Sequence, residues 1–179
     1  MPRHVALLRG INVGGHRVKM DRLRELFEEL GFDHVTTFIA SGNVIFSVDS
    51  ADPAALQTRI ETHLASRLGY DVPTFLRTPA ELEAVAAYPW DEPPKRTTPG
   101  SSLYVIFLAE PASAELSAAF QSLNSGMDDF QVSGREVYWC IQGKITDSPL
   151  FAGGLEKVTR NVPNTTRNMT TLRRLVAKL

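Results

Sequence analysis

The chain has 179 residues, of which 43% are hydrophobic and 22% are charged, and its formal net charge is −1. This length fits one large domain or two small ones, and this composition excludes disordered, collagen-like and fibrous proteins. The net charge conceals a segregated distribution: residues 1–20 carry four basic side chains, residues 157–179 carry six, and all 20 acidic residues lie between these ends. The charge pattern therefore excludes a uniformly basic protein, but it leaves room for a local basic site.

The first predicted element is a buried strand at Val5–Leu8, which is followed by Arg9, Gly10 and a glycine-containing loop. Apolar residues then recur with helical spacing from Met20 until Gly31, a residue suited to the left-handed position just past a helix. Two strands follow at Val35–Ala40 and Val44–Val48. A helix then runs between Asp52 as its N-cap and Gly69 as its stop, and a fourth strand follows at Val72–Arg77. The order βαββαβ is that of the ferredoxin-like sandwich.

A short helix at Pro79–Ala87 and a Pro-rich stretch that ends in Gly100, residues 88–100, separate this half from a second one. The second half begins again with the order βαββ, although no residue-level repeat is visible. Its predicted elements are a strand at Leu103–Leu108, a helix at Ala114–Leu123, and two strands, around Phe130–Val132 and at Val137–Ile141. A less regular stretch, residues 149–163, leads to a final helix. We therefore expect an α+β chain with a ferredoxin-like domain at 1–78, a helix and Pro-rich linker at 79–100, and a second, related α+β domain at 101–179.

Three motifs distributed along the chain resemble those of one bacterial family. They are Leu7-Leu8-Arg9-Gly10-Ile11-Asn12-Val13-Gly14-Gly15, Ser41-Gly42-Asn43-Val44 and Thr165-Thr166-Arg167-Asn168-Met169-Thr170-Thr171. On these residues the chain is identified as a member of the family called domain of unknown function 1697, over essentially its full length. The resemblance implies an α+β fold with a ferredoxin-like N-terminal part, and it implies no reaction.

The predicted topology brings the first two motifs together. In βαββαβ the first two strands run parallel, so the loop after the first strand and the following hairpin turn emerge at one edge of the sheet. Glycines that allow close approach, a helix N-terminus with free N–H groups, and basic side chains together suit a phosphate. If the third motif, which precedes the last helix, folds back to this edge, both basic ends contribute. The candidate ligand-binding residues are Arg9, Asn12, Gly14, Gly15, Arg17, Lys19, Ser41, Asn43, Thr166, Arg167 and Asn168, the last also a candidate N-cap.

Structural explanations of the same motifs stay open. Turn and loop geometry alone accounts for the glycines, and the basic residues after position 172 suit a solvated helix face. The spacing of Gly10 and Gly15 is similar to the start of a P-loop, but His16 and Arg17 stand where Lys and Ser/Thr are required. The aromatic stacking sequence of RNA-recognition motifs is missing from the third strand, and the first strand has no aromatic residue, so base stacking on the sheet is not expected.

Candidates for catalysis are few. His16 is the one histidine near the predicted edge, Ser41 has no identifiable base, and Cys140 suits an apolar filler in a strand. A lone cysteine excludes an intramolecular disulfide, and no spacing of Cys and His indicates a zinc site. The apolar stretch Val5–Leu8 is too short for a signal peptide. We expect a cytoplasmic protein with no cofactor, no metal and no membrane association, and its oligomeric state stays open.

The sequence therefore favours a binding protein for a phosphate-bearing ligand, either a small molecule such as a nucleotide or a nucleic-acid segment. One alternative is a small metal-independent enzyme that acts on an anionic metabolite. Another is a protein interaction module whose motifs are only scaffold. This last alternative predicts that Arg9 and Arg167 pair with acids of the middle segment, such as Glu25 or Asp128.

Overall fold

The computed structural model describes residues 1–40, 42–49, 52–89 and 100–179. Within these ranges the chain forms two four-stranded antiparallel sheets and six α-helices, so the predicted α+β class is confirmed. The chain divides into two compact units, the first comprising residues 1–83 and 175–179 and the second residues 84–174. Among the described residues, no helix has the length and hydropathy that crossing a membrane requires.

The secondary structure follows the predicted order with small shifts of the element ends. The first half contains β1 (Arg3–Leu8), α1 (Met20–Glu28), β2 (Asp33–Phe38), β3 (Asn43–Ser47), α2 (Pro53–Leu68), β4 (Thr74–Arg77) and α3 (Pro79–Ala86). The second half contains β5 (Ser101–Leu108), α4 (Ala114–Gln121), β6 (Asp128–Ser133), β7 (Glu136–Gln142), α5 (Leu155–Thr159), β8 (Asn164–Asn168) and α6 (Met169–Val176). A 3₁₀ turn at Ile145–Asp147 and a π-helical turn at Leu150–Gly154 lie between β7 and α5.

The first sheet has the order β2-β3-β1-β4, which confirms the ferredoxin-like arrangement. Strand β1 is antiparallel to both of its neighbours, with Leu7 opposite Asn43. Ala6 and Leu8 belong to the core cluster that α1 and α2 cover, and Val5 and Leu7, which alternate with them along the strand, are buried as well. Both faces of β1 are therefore buried, as its uninterrupted apolar sequence predicts.

Helix α2 begins and ends at the residues that the sequence indicates. The Asp52 carboxylate accepts hydrogen bonds from the backbone N–H groups of Ala54 and Ala55, at 2.9 and 3.2 Å, and Pro53 occupies the first helical position. Gly69 ends the helix with a φ of 80°, a left-handed conformation that glycine adopts without steric cost. The chain therefore turns directly from α2 into the loop that precedes β4.

The second sheet has the order β6-β7-β5-β8, so it repeats the arrangement of the first. Its helix-covered core is built around two stacked rings, those of Phe130 and Trp139, whose centroids are 5.4 Å apart. The buried members of this core are Ile106, Leu108, Phe120, Phe130, Val137, Trp139 and Ile141. The second half is thus a complete βαββαβ unit and not only the predicted βαββ.

The residues just before the last helix correct the sequence-based expectation. The sequence predicts no strand between residue 149 and the last helix, but residues 164–168 form the strand β8, which pairs with β5 over its whole length. The stretch Asn-Thr-Thr-Arg-Asn offers no apolar alternation, so its β-branched threonines were the only strand indication. Asn168 does cap α6, because its Oδ1 accepts a 2.8 Å hydrogen bond from the backbone N–H of Thr170.

Equivalent residues of the two sheets make the same main-chain contacts, although the sequence shows no repeat. The N–H of Leu8 at the end of β1 donates to the carbonyl of Gly42, and the N–H of Leu108 at the end of β5 donates to the carbonyl of Arg135, both at 2.8 Å. In each case the acceptor belongs to the turn of the neighbouring hairpin. The two halves can therefore be compared position by position.

The fourth strands carry a further equivalence, a buried arginine. Arg77 of β4 lies opposite Val5, and Arg167 of β8 lies opposite Val105. Each arginine donates from Nη1 to the carbonyl of the residue before it, at 2.8 and 2.9 Å, and each is at most 6% exposed. This arrangement is therefore common to both sheets.

Candidate functional site

The loop from Arg9 to Lys19, which we call the basic loop, is anchored by one amide side chain. The Nδ2 of Asn12 donates to the carbonyl of Ala40 at 2.9 Å, and its Oδ1 accepts from the backbone N–H of Val18 at 2.7 Å. The first bond ties the loop to the β2–β3 turn, and the second holds the segment that leads into α1. The structure therefore brings the basic loop and the hairpin turn into contact, and it uses Asn12 to hold them.

The hairpin turn approaches the loop so closely that only glycine fits at position 42. Gly42 has a φ of 79°, and a Cβ at this position would lie 2.7 Å from Cγ2 of Ile11 and 3.1 Å from Cβ of Leu8. Asn43 is fully buried and donates from Nδ2 to the carbonyl of Phe38 at 3.0 Å, inside the hairpin. Ser41, the other predicted residue of this turn, lies outside the described residues.

The turn also contains an unusual backbone conformation that the sequence does not indicate. Ile39 has a φ of 51° and remains 39% exposed. A β-branched residue rarely adopts a left-handed conformation, which costs of order 1–3 kcal/mol. The short turn that would avoid this strain is present in the second sheet, where Gly134 and Arg135 alone connect β6 and β7.

A ring pair completes the edge, and its second member was missed from the sequence. The imidazole of His16 stacks on the phenol of Tyr70, with centroids 3.7 Å apart and planes inclined by 18°. The Tyr70 hydroxyl donates to the carbonyl of Ile11 at 3.2 Å, and partial burial raises the pKa of this phenol above its ordinary value. The available indication was that Tyr70 follows Gly69, the stop of α2, and so reaches the loop that precedes β4.

The cationic side chains of the basic loop point away from the core. Arg9, Arg17 and Lys19 are exposed, and within the described part of the chain neither Arg17 nor Lys19 forms an ion pair. Gly14 and Gly15 are exposed with φ values of 62° and 90°, and apart from their chain neighbours no atom of the described residues lies within 4 Å of where their Cβ atoms would stand. The loop therefore combines positive charge with backbone that a ligand can approach closely.

The N-terminus of α1 ends this loop and lacks a side-chain cap. Lys19 is the N-cap residue, and its side chain accepts no hydrogen bond from the first turn. In the second unit the equivalent helix, α4, is capped by Ser113, whose Oγ accepts from the backbone N–H of Leu116 at 3.1 Å. The connection that leads to α4 is residues 109–113, and its one charged residue is Glu110.

The residues predicted from the third motif belong to the second unit. Arg167 is buried and donates from Nη1 to Oγ1 of Thr165, at 2.8 Å, and to the carbonyl of Thr166. Burial lowers the pKa of its guanidinium to about 10, because water no longer stabilises the charged form. Thr166 and Asn168 lie half-buried in the same strand.

Two acids named as possible partners of Arg9 and Arg167 are engaged elsewhere. Glu25 forms a 3.1 Å ion pair with Arg22 on the surface of α1. Asp128 is buried and accepts from Nε1 of Trp139 and from Oγ of Ser148, both at 2.8 Å. Across the described ranges, no three side chains of His, Cys, Asp or Glu are grouped as a metal site would require.

Comparison with known proteins gives a family and a fold. The family model described as "Protein of unknown function (DUF1697)" matches residues 1–138. The structure of the conserved bacterial protein SP0830 from Streptococcus pneumoniae is similar, with a TM-score of 0.79 and 27% sequence identity, over 100% of this chain and 98% of that chain. No curated protein matches the chain. These likenesses carry no ligand over to the chain.

Proposed function

The chain belongs to the DUF1697 family, and we propose that it binds a phosphate-bearing ligand, a nucleotide or a nucleic-acid segment, through the basic loop. The contrast between two equivalent connections carries the proposal. In the second unit five residues, 109–113, join the first strand to its helix and cap that helix. In the first unit the same connection takes eleven residues, 9–19, and leaves the helix uncapped. Five residues are enough to connect the strand and the helix in this fold. The additional length and the positive charge of residues 9–19 therefore require another explanation.

The chemistry of the loop fits a phosphate. Arg17 and Lys19 supply charge without an intramolecular ion pair in the described residues, and Arg9 adds a third exposed cation. The uncapped first turn of α1 and the open backbone at Gly14 and Gly15 supply N–H donors. In this proposal the charged side chains and the backbone contact the ligand.

Three other predicted residues take positioning or structural roles in the proposal. Asn12 and Asn43 hold the loop and the hairpin turn in place through bonds to carbonyl groups. Arg167 is assigned no contact with the ligand, because its Nη1 donates within β8 in the same way that Arg77 donates within β4. The equivalence of the two arginines supports a structural role for both.

The test measures binding of inorganic pyrophosphate to the full chain by calorimetry and by amide chemical shifts. We expect the shifts to concentrate on Gly14, Gly15 and the first turn of α1. The double variant Arg17→Ala, Lys19→Ala should bind at least about tenfold more weakly, because it removes two charge-assisted contacts.

The matched control removes the same charge elsewhere. Arg173→Ala with Lys178→Ala deletes two exposed basic residues near the other end of the chain and should leave pyrophosphate affinity within about twofold. Equal weakening by both double variants would mean general attraction to positive charge. In that case, or if the loop amides do not respond to pyrophosphate, the binding function has to be abandoned.

The proposal also assigns the protein to a bacterial cytoplasm. The likeness to a conserved streptococcal protein supports the bacterial part. The cytoplasmic part stays a prediction, which fractionation of cells of the source organism checks.

A further inference from the structure

The stacked pair of His16 and Tyr70 is the feature of the basic loop that binding of a bare phosphate does not explain. The two rings are nearly parallel, and the Tyr70 hydroxyl is fixed by its hydrogen bond to Ile11. The N–H of His16 donates to the carbonyl of Val13 at 3.1 Å, so both the ring and its main chain are held. An exposed imidazole is therefore kept flat against a supporting ring.

One face of the imidazole is covered by Tyr70, and His16 is nevertheless exposed as a whole. Because Tyr70 occupies one face of the ring, a second ring can stack only on the face that points away from Tyr70. Flat aromatic side chains held beside basic residues are the elements with which proteins stack single nucleobases. Arg17 is the next residue along the chain, about 3.8 Å away between Cα atoms, and Lys19 follows two residues later.

From this arrangement we infer that the outer face of His16 stacks a nucleobase whose phosphate is held by Arg17 and Lys19. The inference rests on the proposed function and narrows its ligand from phosphate-bearing compounds to those with a base next to a phosphate. This stacking takes place on a loop, so it does not conflict with the expectation that no base stacks on the sheet. Such a ligand is either a free nucleotide or one unit of a single strand, and the chemistry of contact is the same for both.

The experiment compares AMP with ribose 5-phosphate, which presents the same phosphate without a base. We expect the full chain to bind AMP about 5- to 150-fold more tightly, the range that stacking of one base provides. His16→Ala should remove this preference and leave the affinity for ribose 5-phosphate within about twofold. His16→Phe should restore the preference, because it keeps a flat ring, and this rescue separates stacking from damage to the loop.

A matched control is available in the other exposed histidine of the first unit. His34 has a φ of 52°, so His34→Asn removes the imidazole with a residue that tolerates this conformation. This variant should bind both compounds like the unmodified chain. Single-stranded oligoadenylate distinguishes the two sources of the base: a strand ligand binds more tightly than AMP with a steep salt dependence, and a free-nucleotide site does not.

Three results would overturn the inference. Equal affinity for AMP and ribose 5-phosphate, unchanged by His16→Ala but weakened by Arg17→Ala with Lys19→Ala, refutes the stacking role and leaves the phosphate site intact. Loss of AMP preference in His34→Asn as well would place its origin outside the His16 ring. If neither compound binds, the proposed function fails together with the inference.

Discussion

The two units make their first connections differently although they share one topology. After β1 the chain takes eleven residues to reach α1, and after β5 it takes five to reach α4. The neighbouring hairpins differ in the same direction, since residues 39–42 connect β2 to β3 whereas Gly134 and Arg135 alone connect β6 to β7. Both longer connections belong to the first unit, and Asn12 bonds one to the other.

The second unit thus shows what the fold alone requires at this end of the sheet. A short capped connection and a two-residue turn satisfy the main-chain hydrogen bonds there, including the bond that ends the first strand. In the first unit that bond is kept, while a longer loop, a strained Ile39 and a glycine without room for a side chain are added. Strain and close contact that the scaffold does not need are typical of functional sites.

The largest effect is expected where the turn meets the loop. Gly42→Ala places a Cβ 2.7 Å from Cγ2 of Ile11 at a left-handed φ, so the overlap and the conformational cost together should lower the free energy of unfolding by about 2–4 kcal/mol. Urea denaturation measures this loss.

The control for this change is a glycine with free space. Gly126→Ala adds the same methyl group at a φ that is not positive, where apart from the chain neighbours no described atom lies within 4 Å, and it should change the unfolding free energy by less than about 0.5 kcal/mol. Similar losses of unfolding free energy in both variants would show that the β2–β3 turn is not tightly packed on the basic loop. The first unit would then not differ from the second in this respect.

A smaller effect is expected from the side chain that joins loop and turn. Asn12→Ala removes the donor to Ala40 and the acceptor for Val18, which should lower stability by about 1–3 kcal/mol and weaken pyrophosphate binding. Asn12→Asp keeps the acceptor for Val18 and should fall between the alanine variant and the unmodified chain. Full pyrophosphate affinity in Asn12→Ala would contradict the positioning role, since the loop would then keep its shape unaided.

Much of the fold could be predicted because it follows from short sequence patterns, such as helix-capping residues and apolar runs. Asp52, Pro53 and Gly69 mark both ends of α2, and the apolar run of β1 predicts a strand buried on both faces. Strand β8 could not be found in this way, because a polar edge strand is defined by its partner β5 and not by its own alternation.

The candidate site was predictable only in part, for the same reason. Topology alone places the basic loop beside the hairpin turn, and their contact through Asn12 follows from it. The stack of His16 on Tyr70 joins residues 54 positions apart in the chain, and the buried state of Arg167 depends on the strand that the sequence conceals. Such long-range contacts leave no mark in the spacing of residues.

The smallest effect is expected at one equivalent position of the two sheets, where the residue of the first sheet makes stability depend on pH. His4 of β1 stacks on Phe46 at 5.7 Å, where β5 places Tyr104 5.9 Å from Trp139. Burial lowers the pKa of His4, and Glu81 opposes this effect more weakly. In the unfolded chain His4 binds a proton with a pKa near the ordinary value of 6.5, and in the folded chain its pKa is lower. The free energy of unfolding is therefore unaffected by His4 above about pH 6.5 and decreases as the pH falls below it.

His4→Tyr, which copies the second sheet, should therefore reduce the loss of stability between pH 7.5 and 5.5, as measured by urea midpoints. Amide exchange should assign the loss in the unmodified chain to the first unit. An undiminished loss in His4→Tyr would exclude His4 as its source and would remove this difference between the two sheets.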